Sequence, residues 1–215
     1  MVVLPHAISA ATCRRGNINT MDEDYAFPST SRLTVIRHGH SITRSAGIPK
    51  TRVLVDTREQ HPFPLLANHP NWISGEKHVA LKTGDYSIEG MEQLLALERK
   101  NLADIVACTV TDRQRFLRCC QRLAKFRWKA ILIEASYEDL KRDCQEYGVE
   151  SEVHPNAVVG TLDAIEAKVG IRIIYTSRNR ELATERAASW LSKHFTYWWL
   201  EHNNLGRVLI DSDGL

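Results

Sequence analysis

An α/β domain is the fold class this sequence predicts, and three observations carry it. Short apolar runs rich in β-branched residues recur at 52–55, 130–133 and 171–175. Segments with apolar residues at helical spacing lie between and after them, so strand and helix signals alternate along the chain. The 215 residues, 43% hydrophobic and 25% charged, suffice for one domain with a buried core plus a tail, and they exclude a chain disordered throughout.

Residues 1–50 mix Ser, Thr, Pro, Gly and Arg without sustained periodicity and read as a largely disordered tail, with Met21 as an alternative start. Within this stretch, the apolar run 33–36 followed by Arg37, His38, Gly39, His40 and Ser41 has the form of the RHGxS motif of histidine phosphatases. That fold needs a long α/β continuation with a second Arg and His, but new strand signals begin at Arg52, so the match is assigned to chance.

From Arg52 the run to Val55 predicts a buried strand that delivers Asp56, Arg58 and Glu59 to its carboxyl end, before Pro62 and Pro64 interrupt regular structure. A second apolar run, 79–81, leads through Thr83 and Gly84 to Asp85. Residues 85–100 read as a hairpin turning at Glu89 and Gly90, with Asp85 near the start of one strand and Glu98 and Lys100 on the other. The strand period of two puts Glu98 and Lys100 on one face and turns Arg99 away. Residues 101–108 are helical in texture, placing Asp104 about one turn in, within reach of the lysine or the helix start.

Thr111 to Gln114 has capping-box spacing and is expected to open a helix to about Phe126. Its Phe116, Leu117, Cys120 and Leu123 form an apolar stripe, while Arg113, Arg115, Arg118, Arg122 and Lys125 follow one another without an intervening carboxylate. That face suits either solvent or a phosphate backbone, and the missing carboxylates favour DNA. The strand 130–133 ends at Glu134, read as a further acidic neighbour or a strand-end charge. A short helix is expected from Ser136 to Gly148, a longer one from His154 to Gly170, and a last strand over 171–175. Ser177 is the expected cap of a final helix through Trp198. Its aromatic cluster of Phe195, Tyr197, Trp198 and Trp199 reads as core, or as a surface for a second copy or partner subunit.

The net charge of +2 is too mild to identify a partner. The five cysteines are odd in number and lack zinc spacing, as expected of reduced thiols. No apolar run approaches the roughly 18 to 20 residues that cross a bilayer, so no membrane partner is expected and the location is read as cytoplasmic, nucleoid-associated in a prokaryote.

Carboxylates at Asp85 and Glu98 with Lys100 beside them form a minimal kit for phosphodiester hydrolysis: oxygen ligands for Mg²⁺, and a cation to orient water or stabilise developing charge. Gly84-Asp85, Glu98-Arg99-Lys100 and Asp104 reproduce, in order, the signature GD, ERK, three residues, D of the ERCC4-type nuclease domain. The chain therefore resembles the XPF/Mus81/Hef structure-specific endonucleases. Val55 to Glu59 matches an upstream VDxRE element and Leu132 to Glu134 a strand ending in LIE. His154 to Ala157 and Gly170 to Tyr175 look most like the archaeal Hef nuclease.

The resemblance implies a restriction-endonuclease-like fold of the PD-(D/E)xK type, a central mixed sheet flanked by helices, over residues 51–202. The remaining 203–215 would be a short tail without a helix-hairpin-helix module. It implies Mg²⁺ or Mn²⁺ on Asp85 and Glu98 with Asp56 nearby. Lys100 is implied as catalytic, Arg58 and Arg99 as site residues, Asp104 as support and Arg113 as a DNA contact. The implied activity is an endonuclease acting on branched, flap or fork DNA in repair, recombination or replication. The alternatives are a non-catalytic DNA-binding subunit and a sequence-directed, restriction-like nuclease.

Overall fold

The computed structural model describes residues 34–37, 40–43, 48–109, 111–142 and 153–203. A two-stranded antiparallel hairpin, β1 (Thr34–Arg37) with β2 (His40–Thr43), lies within the stretch read as a tail. The two strands form a sheet of their own, separate from the six-stranded one. Met21 and the ends expected at Gly148 and over 204–215 lie outside the described residues.

The main sheet has six strands: β3 (Thr51–Asp56), β4 (Ile73–Val79), β5 (Tyr86–Ile88), β6 (Leu95–Lys100), β7 (Trp128–Ile133) and β8 (Arg172–Tyr175). Their spatial order is β4-β3-β5-β6-β7-β8. β3 pairs with β4 in parallel, as do β6 with β7 and β7 with β8, while β5 is antiparallel to both its neighbours. The sheet is therefore mixed and flanked by helices, as expected. β4 was missed because it is an edge strand, polar along most of its length. Of the apolar run 79–81 only Val79 belongs to it.

Helices cover both faces. The short α1 (Leu65–Asn68) and the long α6 (Arg180–His202) lie on one, packing Phe63, Leu65, Trp190 and Phe195 against Val53, Tyr86 and Leu97. On the other lie α2 (Leu102–Thr109), α3 (Arg113–Leu123) and α5 (Pro155–Val169), whose Ile105, Phe116, Leu123 and Leu162 bury Ala96, Ile131 and Ile133. α4 (Tyr137–Lys141) carries a complete capping box from Ser136.

Three helix ends differ from expectation. α3 has Asp112 as its cap without a side-chain bond, because the Thr111 hydroxyl instead donates to Ala107 O, and the helix stops at Leu123. Asn179 caps α6, while Ser177 accepts from the Asn179 amide and shapes the approach. On α6, Trp190 and Phe195 are buried, and Trp198 and Trp199 pack half-buried on the same core, so much of the aromatic surface is used within the chain. Among the described residues no helix is long and apolar enough to cross a membrane.

Candidate active site

The pleat of β6 sorts the Glu98-Arg99-Lys100 stretch. Even-numbered residues face α2 and α3, odd-numbered ones face α6, as the neighbours Ala96 and Leu97 show. Glu98 and Lys100 thus share a face, and Lys100 Nζ lies 2.6 Å from Glu98 Oε1. Asp85, just before β5, is brought alongside by its amide bonding Leu97 O at 2.9 Å. Its Oδ2 accepts from the main-chain N–H of Arg99 at 2.7 Å. Gly84 makes this approach possible: its φ is 82°, and a Cβ there would stand 3.1 Å from Leu97 O and 3.3 Å from Ala96 Cβ.

Burial, reinforced by the neighbouring Glu98 carboxylate, pushes the Asp85 carboxyl up to about 7. Burial alone would lower the Lys100 ammonium, but the attraction of Glu98 and its hydrogen bond outweigh it, so Lys100 is held firmly protonated. Two carboxylates against one ammonium leave this pair short of positive charge.

Asp56, at the end of β3, is bound differently. Its Oδ1 accepts from the Arg58 amide at 2.8 Å and Nε at 2.7 Å, and its Oδ2 from Arg58 Nη2 at 2.9 Å and the Leu81 amide at 2.8 Å. The side-chain bond to Arg58 holds it at about 2 against the opposing effect of burial. Both oxygens are thereby engaged, so Asp56, expected as a metal neighbour, serves in this structure to fix Arg58 at the cleft edge. Arg58 also donates to Leu81 O.

Arg99 departs from the site it was expected to join. Its guanidinium lies on the α6 face, with Nε 2.5 Å from Glu134 and Nη1 3.1 Å from Glu59. Arg180 adds a second cation 3.3 Å from Glu134, and both guanidinium groups lie over the Phe63 ring. Glu134 belongs to this network and not to the acid cluster, because β7 has the same pleat as β6. Glu59 is delivered to the strand end as expected but pairs with Arg99, and Arg180 reaches Glu134 from α6, a long-range contact that carries no local signal in the sequence.

A cleft of about 420 Å³ joins Asp56, Arg58, Asp85, Glu98 and Lys100 to the wall formed by α2 and α3. Asp104 stands on that wall, exposed, and its amide is capped by the Asn101 side chain at 2.7 Å; the lysine it was expected to reach pairs with Glu98 instead. Arg115 and Arg122 border the cleft, and Cys108 and Cys119, both with thiols pushed up by burial, line it. The spacing of Arg115, Cys119 and Arg122 on one helical stripe was the overlooked signal for Cys119. Arg118 is exposed on the same side of α3. Arg113, also exposed, turns the other way to α5, where it donates to Thr161 Oγ1 at 3.1 Å.

Among the described residues no group of three or more His, Cys, Asp or Glu side chains converges as a metal cage. Asp85 and Glu98 are nonetheless a suitable donor pair for a hard divalent cation, which binds through one or two carboxylates and completes its shell with water and phosphate oxygens.

A family model described as the ERCC4 domain matches residues 55–185, more than half of the chain. Among solved structures, XPF from Aeropyrum pernix in complex with DNA matches at 20% identity with a TM-score of 0.51, covering 67% of this chain and 64% of that one. XPF from the same organism without DNA matches at 20% identity and a TM-score of 0.49, covering 66% and 61% respectively. This chain therefore spans less than two thirds of those chains. A search of curated proteins found no match.

Proposed function

Because this chain belongs to the ERCC4 domain family, we propose that it is an endonuclease requiring Mg²⁺ or Mn²⁺, which hydrolyses DNA at branched, flap or fork structures in repair, recombination or replication. The observation that carries this reading is the convergence of Asp85, Glu98 and Lys100 on one face of the sheet, in a cleft bordered by arginines. The cation held by Asp85 and Glu98 would supply charge neutralisation at the phosphate and lower the pKa of a bound water.

The chain's own residues have distinct tasks. Lys100, kept protonated by Glu98, orients an attacking water or stabilises charge developing on the phosphate oxygens. Arg58, clamped by Asp56, presents a fixed positive group at the cleft edge. Arg115 and Arg122 position the phosphate backbone against the carboxylates. Asp104 supports the wall. The half-buried aromatic side of α6 is the surface proposed for a second copy or a partner subunit.

Incubating the purified chain with flap, fork and blunt duplex DNA tests the reading. Metal-dependent cleavage of the branched substrates, lost in Glu98→Gln, is expected. Binding without cleavage in either metal would overturn it in favour of a non-catalytic subunit. Cuts fixed by sequence on every substrate would indicate a restriction-like enzyme.

A further inference from the structure

The cleft does not end at Lys82 and Arg122. These two residues and Thr83 also line a second cavity of about 570 Å³, on the same sheet face, running between α3 and the edge strand β4. Its floor is apolar, with Leu54, Leu81 and the half-buried ring of Phe126. Lys77 and Lys125 stand exposed on opposite rims. Among the described residues, Lys77, Lys82, Arg122 and Lys125 make no ion pair. Of the two carboxylates present, Glu89 pairs with Arg52 at 3.2 Å and Glu92 accepts from the Gly90 amide at 3.0 Å.

We infer that this second cavity holds an unpaired stretch of DNA leading away from the scissile phosphate. Lys82 and Arg122 would grip the backbone at the entrance, Lys77 and Lys125 would flank it beyond, and the apolar floor would receive a base. The inference rests on the proposed function for its placement of the scissile phosphate. Its chemistry favours a single strand for two reasons. A recessed apolar floor with an aromatic edge offers a stacking surface to an unstacked base. A duplex keeps its bases inside and is too wide to enter a cavity of about 570 Å³, so it can neither use the floor nor thread a backbone between the two rim lysines.

The test uses the full chain in chelator, so that nothing is cut, with fluorescein-labelled oligothymidylate and a blunt duplex of equal length as probes. The double variant Lys77→Gln/Lys125→Gln replaces exposed side chains and should melt with the parent. It is expected to bind the single strand about tenfold more weakly, with a salt slope shallower by about 1.4, while duplex affinity changes less than about twofold. Single-strand binding unchanged, or equal losses on both probes, would overturn the inference. Cleavage in Mg²⁺ separates it from the nuclease reading. A parent that cuts nothing, with the selective single-strand loss intact, refutes only the nuclease; a parent that cuts flaps while the double variant binds normally refutes only the groove.

Discussion

At the carboxyl end of β6, the α6 face sets Arg99 and Arg180 against Glu59 and Glu134, two cations for two carboxylates. The opposite face sets Asp85 and Glu98 against Lys100, the one cation in ion-pair contact with either of them among the described residues. The three residues of one short stretch contribute to both, since the pleat sends Glu98 and Lys100 to the cleft and Arg99 to the core. The balanced face is closed by the Phe63 ring and serves cohesion. The other face is open to solvent through the cleft, and its two neighbouring carboxylates, with one lysine between them, suit a divalent cation, while Arg58, Arg115 and Arg122 along the cleft suit a phosphate.

The largest expected contrast comes from Asp85→Asn. The amide still accepts the Arg99 N–H but removes the charge, so single-turnover cleavage should fall about 10³-fold. Thermal melting without metal should stay level or rise, because a buried, ill-paired carboxylate is gone. Arg99→Ala should do the reverse, costing about 3–5 kcal/mol in urea unfolding by leaving Glu59 and Glu134 without their buried partner. If Arg99→Ala instead unfolds like the parent, the two faces do not differ as described.

Acid titration sharpens the comparison within the cleft. Asp56 is depressed from 3.8 to about 2 in the fold, so its contribution is complete above pH 3.8 and lost as pH falls through 2. With Arg58 largely exposed, about 1–2 kcal/mol is expected, and Asp56→Asn should abolish that pH dependence. Asp85, raised to about 7, acts oppositely: the folded state prefers its protonated form, and that stability is lost as pH rises through 7. Calorimetry of the metal-free protein from pH 2 to 8 should show a rise followed by a decline. The smallest effect belongs to the basic helix. Arg118→Ala should weaken duplex binding two- to fivefold and lower the salt slope by about 1, whereas Arg113→Ala, turned to Thr161, should leave the slope unchanged.

Much of this was readable from local pattern. Alternation with period two separated Arg99 from Glu98 and Lys100, and the Gly84 turn into Asp85 marked where the second strand approaches. What escaped reading depended on strand order and reach. Nothing local to β4 distinguishes a polar edge strand from a loop. Three of the four bonds on Asp56 come from Arg58 two residues on, but the fourth, from the Leu81 amide, exists only because β3 pairs in parallel with β4. Arg113 and Arg118 look alike along the chain, yet about 140° of helical rotation sends one to α5 and the other to solvent.

The bond from the Arg99 amide to Asp85 Oδ2 has a consequence for experiments of another kind. It belongs to the peptide unit, so every side-chain replacement at position 99 except proline preserves it, and a conventional alanine scan is blind to it. Replacing that single amide with an ester by semisynthesis would expose its role, revealing how far the aim of the acidic group is written into the main chain itself.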